Sequence, residues 1–263
     1  MESPRDDSPV AAGTIFESFD GWAQLLKNHA ASVDSLPAAA PAPPRTIPTE
    51  AEARPWRPGR RLPMALLHVV DDGRDTGETI RLRDDTLAIG RITGAVSIPH
   101  DPSLADHHAR LDRLPGGGWL LSDLGSADGT WVRVMTAKLR PGTRLQVGGT
   151  RLVFRRGHDG AAEFVPVDQH AAPLPCPAPP FLVGRSDAAA TLEAHGLPSI
   201  LLDDPFVSPI HAEVITSRTS WRIVNRGLNG LWVRIESPVR LGGVAQFQCG
   251  DQRFVLEPLA EDD

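Results

Sequence analysis

Two antiparallel β-sandwiches in tandem, an all-β fold, are predicted by three features of this chain. An ordered set of sequence blocks occurs twice. Strand-length apolar runs alternate with Gly, Pro and Asp. Neither feature is found before residue 62, in a segment where Ala and Pro dominate from Leu36 to Pro48. The first copy reads Leu87-Ala88-Ile89-Gly90-Arg91, then His108-Ala109-Arg110-Leu111, Trp119 to Leu124, Asp128-Gly129-Thr130-Trp131-Val132 and Leu145-Gln146-Val147-Gly148. The second reads Phe181-Leu182-Val183-Gly184-Arg185, then His211-Ala212-Glu213-Val214, Trp221 to Asn225, Asn229-Gly230-Leu231-Trp232-Val233 and Phe247-Gln248-Cys249-Gly250. A repeat of this length is a small domain rather than a solenoid unit.

In chain order, residues 1–61 carry one expected helix, over about 14–32, and then a Pro/Ala-rich linker. Thr14 and Glu17 have capping-box spacing, and Ile15, Phe19, Trp22 and Leu26 form one apolar stripe. A lone helix of this length is marginal in water, so the stripe docks either on this chain's own domains or on a second partner. Residues 62–158 form the first expected sandwich. Its strands are read at Met64–Val70, Thr79–Leu82, Leu87–Gly90, His107–Leu111, Gly118–Asp123, Thr130–Val134, Arg144–Val147 and Arg151–Arg155, with turn chemistry between them. The second expected sandwich spans 163–259, after a Pro-rich joint at 172–180.

Composition removes several function classes. The formal net charge of −6 argues against nucleic acid as a main partner. No apolar stretch is long enough to span a membrane and the N-terminus lacks the order of a secretion signal, so a cytoplasmic location without membrane insertion is expected. Cys176 and Cys249 sit in no metal or redox spacing and read as reduced thiols. His107-His108 suggests metal only superficially, because neighbours on a strand face opposite sides. No metal, no cofactor and no enzymatic activity are expected: there is no nucleophile–base arrangement and no phosphate-cradling lysine loop.

The polar residues kept at the ends of the expected strands point elsewhere. Gly184-Arg185, Ser208-Pro209-Ile210-His211 and Asn229-Gly230 offer a fork of guanidinium donors, a hydroxyl, an amide and close backbone approach. A phosphate dianion fits that inventory. This pattern, with its flanking strands, resembles the forkhead-associated (FHA) domain, a β-sandwich that reads phosphothreonine in partner proteins. The resemblance implies that Arg185 and Ser208 hold phosphate, that Asn229 holds the peptide backbone, and that Gly184, His211 and Gly230 shape the loops. Pro209 and Leu228 stand where family members often carry a further donor. The first copy keeps Gly90, Arg91 and His108 but has Ala105 and Asp106 at the serine segment and Asp128 at the asparagine position. A carboxylate beside a phosphate is repulsive, so this site is expected to be degenerate, with Arg91 solvated or paired with Asp106.

Two functions follow. One is an adaptor that binds a phosphothreonine-containing protein in bacterial-type Ser/Thr kinase signalling. The other is a phosphate-independent assembly scaffold, for example in a secretion machine such as type VI. The sequence leaves oligomeric state open.

Overall fold

A computed structural model describes residues 64–70, 77–157, 160–167, 171–217 and 220–259. The helix expected over 14–32, with Ile15, Phe19, Trp22 and Leu26, lies outside the described residues, as does the linker to residue 61.

The first repeat supplies β1 (Ala65–Val70), β2 (Thr79–Leu82), β3 (Thr86–Gly90), β4 (Val96–Ser97), β5 (Ala109–Arg113), β6 (Trp119–Asp123), β7 (Thr130–Val134), β8 (Thr136–Leu139), β9 (Arg144–Val147) and β10 (Thr150–Arg156). The second supplies β11 (Ala162–Pro166), β12 (Leu174–Pro175), β13 (Phe181–Arg185), β14 (Ser199–Leu202), β15 (Ala212–Ser217), β16 (Ser220–Asn225), β17 (Leu231–Arg234), β18 (Val239–Leu241), β19 (Ala245–Cys249) and β20 (Gln252–Pro258). A short helix, α1 (Ala189–Glu193), follows β13. The strands read from alternation and turn chemistry are present, whereas the short β4 and β8 carried no such signal. Pairing is antiparallel except for β3 with β4 and β13 with β14, which are parallel.

The folded sandwiches do not coincide with the repeats. One ten-stranded sheet runs in the order β12-β11-β10-β9-β17-β7-β19-β20-β1-β2, and two five-stranded sheets run β14-β13-β15-β16-β8 and β4-β3-β5-β6-β18. The buried side chains divide the same way. One core joins Leu67, Ile89, Leu111 and Trp119 to Leu241, Phe247, Phe254 and Leu256. The other joins Leu145, Leu152 and Phe154 to Phe181, Val214, Ile223 and Leu231. Each repeat therefore gives its last three strands to the other's sandwich. The expected boundaries at 62–158 and 163–259 mark sequence repeats, and the two sandwiches are nested rather than consecutive. An inner sandwich is built from β8 to β17, and an outer one from β1 to β7 plus β18 to β20.

A short hinge marks the first of the two crossings, while the second, from β17 to β18, runs through the four residues 235–238. Met135 alone separates β7 from β8, whereas the tightest common hairpin needs two loop residues. The chain cannot turn back, so it runs straight on into the neighbouring sandwich, as short hinges favour in strand exchange. β7 and β17 then pair across a pseudo-twofold axis, Leu231 opposite Val134 and Val233 opposite Val132, making the long sheet continuous. Val134 packs against both cores. Two buried carboxylates latch the exchanged hairpins. Asp101 accepts from the Asp251 N–H at 3.0 Å and Gln252 Nε2 at 3.1 Å. Asp204 accepts from the Gly149 N–H and Thr150 Oγ1, both at 2.8 Å.

Candidate functional site

In the inner sandwich, the loop end of β13 meets the turn before β17 through one buried histidine. His211 is fully buried, and its Nδ1 accepts the Ser208 N–H at 2.9 Å. An N–H can only donate, so the ring proton sits on Nε2, which donates to the Gly230 carbonyl at 2.9 Å. Burial holds this imidazole below its usual pKa, outweighing the stabilising Gly230 contact. Two glycines make room. A Cβ on Gly184 would run into the Pro209 carbonyl, and one on Gly227 would lie 2.6 Å from the His211 ring. Gly230 has a φ of +79°, the left-handed region that glycine tolerates.

These contacts gather the three expected binding residues. Arg185 ends β13, and its N–H donates to the Ser208 carbonyl at 3.2 Å. Ser208 Oγ accepts the Leu228 N–H at 3.1 Å, which leaves the hydroxyl proton to donate. Asn229 Nδ2 donates to the Phe206 carbonyl at 2.7 Å, and Trp232 Nε1 fixes the Asn229 carbonyl at 3.0 Å. The Asn229 side-chain oxygen takes no hydrogen bond among the described residues. Arg185 donates from Nε to Asp187 at 2.5 Å and from one amino group to the Val207 carbonyl at 3.5 Å. Its other amino group is unengaged among the described residues. The arrangement presents a cation, a hydroxyl donor and an amide at one accessible end of a sandwich. That end suits a tetrahedral dianion with a peptide alongside it.

The first repeat keeps the frame and carries different side chains at the candidate positions. His108 Nδ1 accepts the Ala105 N–H at 3.1 Å and Nε2 reaches the Gly129 carbonyl at 3.2 Å, the same bridge as in the inner sandwich. Gly90 again lies against a carbonyl, that of Asp106. The Arg91 guanidinium is taken up by Asp106, with Nε at 3.1 Å and an amino group at 2.7 Å. Ala105 has no hydroxyl. The Asp128 carboxylate stands 4.0 Å from Arg151. His107 faces outward and bonds Thr93, apart from buried His108.

The sequence did not single out Asp187, Asp204 or Arg133. Asp204 shapes the serine loop by accepting the Phe206 N–H at 2.8 Å. Its signal was present in the repeat, since Asp101-Pro102 and Asp204-Pro205 each stand at the head of that loop. Arg133, on β7 of the first repeat, donates to the Leu228 carbonyl at 2.8 Å and supports the asparagine turn from the other sandwich. Only the exchange of strands puts it there. Both cysteines are free. Burial pushes the Cys176 thiol up to about 12 and the Cys249 thiol up as well. Among the described residues there is no cluster suited to a metal ion, and no helix is long and apolar enough to cross a membrane.

Comparison with known proteins matches each of the two sequence repeats to a family. Residues 181–259 match the family model described as FHA domain, and residues 70–158 match that described as inner membrane component of T3SS, cytoplasmic domain. The FHA domain-containing protein FhaB of Mycobacterium tuberculosis is 35% identical over 91 residues, 33% of this chain and 58% of that protein. The glycogen accumulation regulator GarA of Mycolicibacterium smegmatis is 35% identical over 96 residues, 35% of this chain and 60% of that protein. The matches thus span less than two thirds of these relatives. A solved structure titled Mycobacterium tuberculosis EmbR in complex with low affinity phosphopeptide aligns with 76% of this chain and 26% of that one. Its 13% identity and TM-score of 0.32 are too low to bear on the fold. The chain therefore carries an FHA domain at 181–259, in its second repeat, and an FHA-like domain at 70–158, in its first.

Proposed function

We propose that this chain is a non-enzymatic adaptor that binds phosphothreonine-containing proteins through the inner sandwich, downstream of a Ser/Thr kinase. The observation that carries the proposal is the convergence of Arg185, Ser208 and Asn229 on one loop end, each with a donor or acceptor still to be used. In this reading Arg185 and the Ser208 hydroxyl hold the phosphate, Asn229 holds the adjacent peptide backbone, and His211, Gly184 and Gly230 fix the loops. The similarity of the second repeat to FHA domains, including those of FhaB and GarA, supports it. The test is a titration with a degenerate phosphothreonine peptide library and with phosphoserine and unphosphorylated controls. Saturable binding to phosphothreonine alone is expected. Arg185→Ala should weaken it by about tenfold or more, since a hydrogen bond to a charged group contributes about 1.5–3 kcal/mol. Equal binding of all three libraries refutes the reading.

A second, phosphate-independent role belongs to the first repeat. Arg91 is neutralised by Asp106 within the chain, and residues 70–158 match a secretion component. The system named there is type III rather than the type VI given as an example above. This repeat then acts as an assembly surface, and phosphatase treatment of a partner bound to it leaves the contact intact.

A further inference from the structure

A cavity of about 540 Å³ lies across the pseudo-twofold axis, between the two sandwiches. Arg151, Gln146 and Asp128 line it from one half, and Arg253, Gln248 and Asn229 line it from the other. The halves correspond residue for residue. Arg151 stacks 5.1 Å above Trp131, and Arg253 stacks 5.1 Å above Trp232. They differ in what satisfies the guanidinium. Arg151 donates from Nε to Gln146 Oε1 at 3.3 Å and faces the Asp128 carboxylate at 4.0 Å. Around Arg253 neither contact is made. Gln248 Oε1 is buried with no partner, and the aspartate is replaced by neutral Asn229. Asp251 also borders the cavity, but its carboxylate forms no ion pair among the described residues.

Charge makes the asymmetry sharper. Arg133 stands opposite Trp232 in the register of β7 with β17, and Arg253 stacks on that same ring; burial lowers the basicity of Arg133, and the Arg253 charge lowers it further. Arg133 has neutral partners, Gln246 Oε1 at 2.8 Å and the Leu228 carbonyl. Burial lowers Arg253 as well. Two half-buried guanidiniums that share Trp232 as a neighbour, with no carboxylate on either among the described residues, make a site that an anion relieves. In the first half the chain supplies that anion itself, as Asp128.

We propose that Arg253, supported by Arg133, forms a second anion subsite that takes an acidic or phosphorylated residue flanking the phosphothreonine on the same peptide. Asn229 lines both this cavity and the phosphothreonine site, so one extended peptide reaches both. The identity of the peptide rests on the function proposed above, whereas the anion subsite rests on the cavity alone.

Two experiments on the full chain separate these parts. The first is a positional-scanning phosphothreonine library read against wild type, Arg253→Gln and Arg185→Ala. Wild type should select glutamate, aspartate or a second phosphorylated residue at one flanking position by about tenfold, the worth of a charge-assisted hydrogen bond. Comparing the carboxylates with the phosphorylated residue at that position shows which source the subsite takes. Arg253→Gln should lose the selection while keeping Arg185-dependent binding of peptides without the flanking acid. Unchanged selection in Arg253→Gln, no acid selection in wild type, or equal loss of every peptide overturns the subsite.

The second experiment follows arginine Nε–H resonances while inorganic phosphate is added to Arg185→Ala. A saturable shift at Arg253 is expected, and Asp128→Asn should open an equivalent site at Arg151. No shift at Arg253 overturns the proposal. If the library shows no Arg185-dependent binding, the phosphothreonine reading fails, and the phosphate titration still decides the anion subsite.

Discussion

Arg185 enters the candidate site already holding a partner, Asp187, whose carboxylate also faces any incoming phosphate. The pair is partly exposed, with relative side-chain accessibilities of 31% and 67%. Water and salt therefore screen it, and its worth stays within about 1 kcal/mol. Asp187→Asn should free the guanidinium, remove a like charge and tighten phosphopeptide binding by up to about fivefold, measured by fluorescence anisotropy at low and high salt. Looser binding would show that Asp187 orders Arg185 rather than competing for it. Histidine gives a second residue-scale outcome. Burial holds His108 and His211 below their usual value near 6.5, so both stay neutral in the folded chain while the unfolded rings protonate. Their contribution to stability is complete above about pH 6.5 and is lost as pH falls below it, because the unfolded state then binds more protons. Urea midpoints should drop between pH 7.5 and 5.5. Asp101 and Asp123 add nothing to that drop. Burial would raise both, but their hydrogen bonds prevail and hold them below the usual 3.8, so their loss comes at still lower pH.

At the scale of elements, the one-residue hinge at Met135 and the exchanged hairpins decide what folds with what. Residues 135–236 contain every strand of the inner sandwich together with Arg185, Ser208 and Asn229. This fragment should fold as a monomer with cooperative urea unfolding. Residues 62–158 lack β18 to β20, leave Leu67, Ile89 and Leu111 without Phe247, Phe254 and Leu256, and should not form a stable monomeric sandwich. The opposite result would mean that each repeat closes on itself. The latch is testable too. Asp204→Ala leaves the Gly149 and Phe206 N–H groups and the Thr150 hydroxyl without their acceptor, and should cost about 2–4 kcal/mol in urea denaturation. Most strands were legible from alternation and turn residues, because those are local properties. The exchange was not, because repeated sequence blocks are equally consistent with strands that pair within a repeat or between repeats. The relevant signal was one missing loop residue before Thr136. Arg185 and His211 could be placed because Arg91 and His108 repeat them in order, whereas Ser208 and Asn229, which become Ala105 and Asp128 in the first copy, stood out by their hydrogen-bonding chemistry. Arg133 and Arg253 were not, since each meets the asparagine side of the site only through pairing between repeats.

Taken as a whole molecule, the chain joins two unequal sites through one ten-stranded sheet. In the outer sandwich Arg91 and Arg151 face carboxylates of the chain's own, Asp106 and Asp128. In the inner sandwich Pro209 and Asn229 stand at those positions. Arg185 is itself paired with Asp187, so the halves differ in the Ser208 hydroxyl, the Asn229 amide and the lack of a carboxylate on Arg253 among the described residues, and on the proposed reading only the inner half takes an external anion. The measurement that tests this division most directly is calorimetric titration of one phosphothreonine peptide into wild type, Arg185→Ala and Arg91→Ala, each shown to be folded. Binding should be lost in Arg185→Ala and unchanged, with one site per chain, in Arg91→Ala. Loss in Arg91→Ala, or equal binding by all three proteins, would contradict it.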